Sequence, residues 1–336
     1  MLKMNKIFAC VATGLFLAHG AAQAEIQERN LKLSYPVSQS DPIGMAANKL
    51  IEIVDQKTQG KFKIKGYSDA QLGNEIQSIS SAQGGVIEMT VVSTAGAGGN
   101  VKEFGIFDLP FLFNSVEEAD ALVDGPVGKE LLQKLEGKNL VGLCYWDYGF
   151  RQVTNSKHPI KKLEDFQGLK IRTLQNRIYI DTFKALGANP LPLPYPETFT
   201  ALESKAIDGQ ESAYVVTKSS GFHEAQKYVT ETNHVFLPAV VMVSKRFWDR
   251  LADDEKQVFN DSCIEAQAYH RQISRDMSKE VEKELVAAGL ELDKFDETEK
   301  ARLVQATNNV TEKYKEELGK ELVEKAFAEL ENIRKK

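Results

Sequence analysis

The sequence predicts an α/β protein of two lobes with added C-terminal helices, and three observations carry that prediction. At 336 residues the chain is about twice the usual length of one domain. Short β-branched runs alternate with amphipathic helical patterns along most of it, the order from which helix-covered sheets are built. From Asp253 to about Ala288 a charged helical pattern continues without Pro or Gly. At 1.5 Å per residue it would extend roughly 50 Å, wider than one small lobe, so it is expected to brace two.

The elements follow in order. Lys3 and Lys6 precede an apolar run from Ile7 to Ala18, and Ala22-Gln23-Ala24 follows. A basic start, an apolar run too short to span a bilayer and a small-residue motif form a cleaved secretory leader over 1–24. Cleavage is expected after Ala24, which sends the chain to the periplasm. Loss of two Lys shifts the formal charge from −6 to −8. Too few apolar residues precede Cys10 for a lipid-modified cysteine. Cys144 and Cys263 are then the remaining cysteines. They could pair in an oxidising compartment or stay as buried thiols.

Leu31 to Tyr35 reads as a strand ended by Pro36. A helix follows, with Ala46, Ala47, Leu50, Ile51 and Val54 on one face, closing at Gly60. Phe62 to Gly66 reads as strand, Glu75 to Ala82 as helix, and Val86 to Ser93 as a buried strand before a Gly-rich turn. This order implies a parallel sheet. A second unit starts near Arg151: strand from Gly168 to Thr173, helix through Ile180 to Leu186, and an extended Pro-rich stretch from Asn189 to Pro196. Phe199 to Leu202 opens a helix, Ala206 to Ala213 forms a turn and strand, and Leu237 to Ser244 is a buried strand. One amphipathic helix is expected from about Glu297 to Arg334.

Composition removes several functions. With 42% hydrophobic and 27% charged residues the chain is neither disordered nor a multi-span membrane protein. Its charge of −6, with basic residues clustered only in a short tail, excludes a phosphate-backbone footprint, so no nucleic acid is expected as partner. Catalytic signatures fail residue by residue. His223-Glu224-Ala225-Gln226-Lys227 lacks the second His of a zinc-protease helix, and Gly96-Ala97-Gly98-Gly99-Asn100-Val101 lacks the third Gly of a dinucleotide loop. No nucleophile elbow or P-loop occurs. No metal, cofactor or enzymatic activity is expected.

Ligands of open α/β sheets sit beyond the carboxyl ends of the strands. There this chain puts Pro36 to Gln39, Ser93 and Thr94, Arg172 with Thr173 to Asn176, and Ser212 with Tyr214. Trp146-Asp147-Tyr148-Gly149-Phe150-Arg151 precedes the lobe boundary. Two Arg, hydroxyls and aromatics suit a small anion with an apolar body, because a guanidinium matches a carboxylate with two parallel bonds. Plainer readings exist for each residue. An Arg near a strand end is commonly a surface or salt-bridged group, Trp146 and Tyr148 suit an interdomain core equally well, and Glu75 and Glu211 suit helix or turn acids paired with cations.

Six segments in register give the chain a family resemblance: Gln71-Leu72-Gly73-Asn74-Glu75, Asp108-Leu109-Pro110-Phe111-Leu112-Phe113, Gly149 to Asn155, Gly168-Leu169-Lys170-Ile171-Arg172, Asp208-Gly209-Gln210-Glu211 and Thr232-Asn233-His234. The chain resembles the periplasmic substrate-binding proteins of tripartite ATP-independent (TRAP) transporters, dicarboxylate-binding (DctP-like) family, over nearly its whole mature length. The resemblance implies a two-lobed periplasmic binding protein that closes by a hinge on a small organic acid. It would pass the acid to small and large membrane subunits driven by an ion gradient, and most such receptors act as monomers. Lobe 1 is expected at 25–150 with a returning segment near 237–270, lobe 2 at 151–236, and bracing and C-terminal helices at 253–336.

Arg172 stands in the position of the family's carboxylate clamp and Arg151 in that of a second Arg near the ligand. The position of Tyr195 usually carries a ring or apolar group against the ligand, and that of Asn176 lies close to the clamp. Glu75, Ser93, Ser212, Trp146 and Tyr148 complete the expected site. Departures from the family pattern bear on the ligand. Ser212 replaces a common Asn, Ser93 stands where sialic-acid members carry Glu, and Leu237-Pro238-Ala239 is apolar. These favour an acid with an apolar or aromatic body, with four-carbon dicarboxylates open because two Arg could grip two carboxylates. An enzyme acting on small acids and a protein presenting its ligand to a membrane sensor are the competing readings.

Overall fold

The computed structural model of the chain describes residues 26–335; the expected leader and its cleavage site lie outside them. Two lobes are built on two connected sheets that share one long strand. The first lobe begins with β1 (Arg29–Ser34), β2 (Phe62–Tyr67) and β3 (Met89–Ser93), with β1 parallel to both neighbours. The shared strand is β4, sixteen residues from Leu140 to Asn155. The second lobe adds β5 (Lys170–Thr173), β6 (Asn189–Pro192), β7 (Gly209–Ala213) and β8 (Tyr228–Glu231). The chain then returns through β9 (Phe236–Ser244), and β10 (Glu291–Lys294) pairs parallel with β8. The strand order is β2-β1-β3-β9-β4-β7-β5-β6.

The fully parallel sheet expected from the strand–helix–strand order is corrected to a mixed one. β9 runs antiparallel to both β3 and β4, and β4 runs antiparallel to β7 and β8. Local alternation shows only that a helix lies between two strands; it is silent about a strand that returns from the other lobe and inserts between them. Nine consecutive buried residues in β9 (Phe236–Ser244) mark it as a central strand covered on both faces.

β4 has no counterpart among the expected strands. Its register slips twice against β9, between Gly142 and Cys144 and between Asp147 and Gly149. Each slip breaks the two-residue alternation by which a strand is recognised. At the second slip Tyr148 has no partner across the ladder, and Gly149 takes a left-handed φ of 90° that a side chain would resist.

The long helix forms at Asp253–Ala287, with Phe259, Cys263, Ala266, His270, Ser274, Val281 and Leu285 buried along one stripe. It packs on the Pro42–Lys57 helix of the first lobe, on β4, and on the Tyr214–Ser219 helix of the second. Cys144 of β4 and Cys263 of this helix form a disulfide across a separation of 119 residues. Constraining so long a loop stabilises by about 4–5 kcal/mol in the chain-entropy account. The single terminal helix is corrected to two, Glu297–Leu318 and Lys320–Arg334, broken at Gly319 with φ of 104°. The break lets the last helix turn back onto the first lobe, where it packs on the Val116–Asp124 and Pro126–Lys134 helices. Among the described residues no helix is long and apolar enough to cross a membrane.

Candidate functional site

Where the two sheets meet, the carboxyl ends of β3 and β5, the kink of β4 and the start of β9 surround a cavity of about 370 Å³, opening included. Glu75, Ser93, Tyr148, Arg151, Arg172, Tyr195 and Ser212 line it, with Pro36, Val37, Leu174, Val216 and Leu237 as the apolar wall. An adjoining recess shares Glu75, Arg172, Leu174 and Tyr195 and leads out past Ile76 and Pro194. Seven of the nine residues expected at the site thus border one space.

The other two lie elsewhere. Trp146 is 1% exposed, its ring stacked on His270 of the long helix at 5.8 Å; its expected place against a ligand is corrected to core, and that core is the first lobe's, under the long helix, rather than one between the lobes. Asn176 caps the Arg177–Ala185 helix by accepting from Ile178 N at 2.8 Å, and its Nδ2 donates to Asp108 Oδ2 at 2.8 Å and to Ala95 O at 3.3 Å. It ties the second lobe to the first, bordering a separate cleft rather than the cavity.

The two guanidiniums differ in their partners. Arg151, at the lobe boundary of β4, is 3% exposed and donates through Nε to Glu211 Oε2 and through Nη2 to Glu211 O. Pairing of Arg151 with Ala213 and of Val153 with Glu211 makes the two charged residues diagonal neighbours on one sheet face. Burial alone would push the Arg151 guanidinium down and the Glu211 carboxyl up. The ion pair outweighs it, so Arg151 rises and Glu211 falls from their usual values. His234 Nε2 lies 3.3 Å from the same Glu211 oxygen, and burial pushes that imidazole down, toward the neutral form. Glu211 is thus the paired acid of the plainer reading.

Arg172, near the end of β5, is 4% exposed, yet no carboxylate lies within ion-pair distance of it among the described residues. Its Nε and Nη2 both donate to Leu193 O, at 3.1 and 2.8 Å. Of the five N–H donors of a guanidinium, the rest have no acceptor among the described residues. Burial pushes its pKa down to about 10, only partly offset by the fields of Glu211 and Glu75. A buried cation without a counter-ion is costly in isolation.

Glu75 opens the Glu75–Gly84 helix behind the cap made by Asn74 and Gln77. Its Oε1 accepts from Ser93 N at 2.6 Å and its Oε2 from Ser93 Oγ at 2.9 Å. No cation contacts it among the described residues, so it is not the cation-paired helix acid of the plainer reading. Burial raises its pKa against the opposing pull of those bonds and of both Arg. Tyr195 bonds to the Ser220 hydroxyl and packs on Phe222 at 5.8 Å. The Tyr148 hydroxyl is buried without a partner among the described residues. Its location follows from the slip in β4, which had no signature in the sequence.

Two further groups escaped sequence reasoning. Asp108, behind Asn176, is fully buried with Oδ1 unpartnered, and burial pushes its carboxyl up to about 7. Tyr179 presents its ring to Arg151 at 5.6 Å. The Asp108-Leu109-Pro110 segment carried a signal for the first. Nothing in sequence spacing brought Tyr179 toward Arg151.

A cavity of mixed apolar and charged lining between two lobes that share a strand, with one buried cation left over, is the arrangement of a solute-binding protein. Residues 33–317 match the DctP family, described as bacterial extracellular solute-binding protein, family 7, and the chain belongs to that family. The resemblance drawn from the six segments is thereby borne out. The 2,3-diketo-L-gulonate-binding periplasmic protein of Escherichia coli K12 is 36% identical over 284 residues, covering 84% of this chain and 87% of the relative. The C4-dicarboxylate-binding periplasmic protein of Shewanella loihica is 30% identical, covering 98% of this chain and 96% of the relative. The crystal structure of a sugar acid binding protein from Advenella mimigardefordensis in complex with galactonate is similar at a TM-score of 0.90. The two are 39% identical, over 92% of this chain and 99% of that one.

Proposed function

We propose that this protein is the periplasmic receptor of a TRAP transporter, a binding protein rather than an enzyme, and that it closes on a small organic acid whose carboxylate sits on Arg172. The observation that carries the reading is that guanidinium: 4% exposed, with no acid partner among the described residues and donors to spare. A carboxylate entering the cavity supplies the missing counter-charge and accepts the remaining N–H groups, bidentate geometry being the guanidinium's particular strength. Arg151, already paired with Glu211, adds field and orientation. Ser93, Ser212, Tyr148 and Tyr195 offer hydroxyls to the rest of the ligand, while Glu75 borders the same space with both carboxyl oxygens bonded to Ser93. Val37, Leu174, Val216 and Leu237 face its carbon skeleton.

This division of the lining favours an acid carrying both hydroxyl groups and apolar carbon, a sugar acid or hydroxy acid, over the apolar or aromatic body that the departures at Ser93, Ser212 and Leu237 suggested. The relatives that bind 2,3-diketo-L-gulonate and galactonate fit that choice. The lobes divide at Arg151 and again near Leu237, so β4 and β9 carry the hinge, and closure biased by the ligand is the state that the membrane subunits read.

A thermal-shift series with galactonate, D-erythronate and succinate tests the reading. A ligand at about 100 times its Kd stabilises by about 2.7 kcal/mol. A shift with one class of acid, lost in a folded Arg172→Ala variant, is expected. Equal shifts in wild type and Arg172→Ala would remove the clamp assignment.

A further inference from the structure

The cavity already holds as many acids as cations before any ligand enters. Arg151 and Glu211 cancel one another in contact, and Arg172 and Glu75 face the same space without touching. Around the Glu75 carboxyl, Ser93 and Gly96 press from the end of β3 and the turn after it, and the titratable groups that share its space or field are Tyr148 and Arg151 from β4, Arg172 from β5, Tyr195 from the turn after β6 and Tyr179 from the Arg177–Ala185 helix; Ser212 of β7, Leu237 of β9 and Pro36 and Val37 after β1 bring no charge. The two Arg are the only cations in that set, and one of them is spent on Glu211. A carboxylate seated on Arg172 therefore leaves Glu75 as a buried anion with no counter-charge.

Resting on the receptor reading above, we propose that Glu75 sets the charge of the acids this protein accepts: it takes up a solvent proton when a carboxylate seats on Arg172, so the cavity selects monoanions and disfavours dianions. The complex then balances, with ligand against Arg172, Glu211 against Arg151, and Glu75 neutral. The local bonding tolerates the proton. Ser93 Oγ, which donates to Glu75 Oε2, can reverse and accept from it, since hydroxyls rotate. Burial already holds the Glu75 carboxyl above its usual range, and removal of the Arg172 field by the ligand raises it further. A dianion would carry one charge too many even with Glu75 protonated. Protonation and ligand binding are linked reciprocally, so each strengthens the other.

Titration calorimetry of the mature protein with galactonate, repeated in buffers of different ionisation enthalpy from about pH 6 to pH 8, reads the proton directly. Net uptake approaching one proton per galactonate is expected, with affinity falling by up to about tenfold per pH unit at the alkaline end. In Glu75→Gln, whose folding is checked by its Tm, uptake should vanish and affinity at pH 8 should rise toward the wild-type value at pH 6. Succinate should bind more weakly than galactonate at pH 8 and gain more on acidification. Galactonate binding without uptake in the wild type overturns the proposal, as does uptake that persists in Glu75→Gln or loss of binding in that variant once folded. Tighter binding of succinate than of galactonate at pH 8 overturns the charge selection. Absence of heat with galactonate, D-erythronate and succinate alike, in folded wild type, overturns the receptor reading itself.

Discussion

Arg151 and Arg172 stand on neighbouring parts of the same sheet, are buried to the same degree, and border the same cavity, yet they are chemically opposite. Arg151 is a completed pair. Glu211 accepts from it twice, His234 supports the acid, and the Tyr179 ring covers the guanidinium. Arg172 meets a single backbone carbonyl. Burial lowers the pKa of the second and fails to lower that of the first, although both lose water. The difference teaches that burial of a charge is not by itself a mark of function. An unmet counter-charge is, because folding leaves its cost for a ligand to remove.

The largest expected effect breaks the completed pair. Arg151→Met leaves Glu211 buried without its cation and should lower unfolding free energy by about 3–5 kcal/mol, read in a denaturant titration. Arg172→Met should cost far less, because no acid is in contact with Arg172, and Glu75, which loses only its field, can take up a proton. Its effect belongs to binding: an enclosed pair truncated on one side loses about 2–5 kcal/mol, roughly 30-fold to several thousand-fold in Kd. If both variants lose stability alike, the contrast between the two guanidiniums fails.

The pair's surroundings sharpen the comparison through pH. Asp108 titrates at about 7 in the folded protein, above the 3.8 usual for its side chain, because burial disfavours its charged form. Its contribution to stability is therefore complete below the unfolded pKa and is lost as pH rises through the folded one. Asp108→Asn keeps an acceptor for Asn176 and removes that loss. It should match wild type near pH 4 and be more stable at pH 8, by on the order of 2–4 kcal/mol. Asp41, held at about 6 by burial while Ser219 and the Ile43 amide bond to it, should act in the same direction with a smaller effect. The smallest effect concerns the Tyr148 hydroxyl. Tyr148→Phe relieves an unpartnered buried group and should raise the ligand-free Tm, a gain of about 1–3 kcal/mol at most. It should weaken acid binding by about tenfold if that hydroxyl meets the ligand; a gain in both stability and affinity would exclude it from the ligand's contacts.

The proposed clamp was legible because its parts are local. Arg172 lies one residue from the end of a short β-strand, and strand ends face the ligand side of a sheet, so position along the chain placed it among the candidates and the family resemblance gave it the clamp position. The capped helix that starts at Glu75 and the turn after Ser93 were legible for the same reason. Trp146 and Tyr148 could not be told apart from sequence. They lie two residues apart, and regular alternation would put them on one face. The slip in β4 between them and Gly149 separates one into core and the other to the cavity. Asn176 was expected near the clamp, and it is near in sequence, but its side chain is spent on Ile178, Asp108 and Ala95.

What the sequence by itself determined was whatever depends on neighbours a few residues apart: the amphipathic stripe of the long helix, the capped starts of the shorter ones, the strand ends, and the six segments that mark the family. The tertiary structure alone decided the insertion of β9 between β3 and β4, the Cys144–Cys263 bond, and which Arg received an acid. Those are contacts between residues 60 to 154 positions apart, the last from Met89 to Val243 (243 − 89). Nothing within a local window records which distant acid folding will bring to a cation. Only the assembled sheet, by bringing Glu211 to Arg151, left Arg172 without an acid among the described residues.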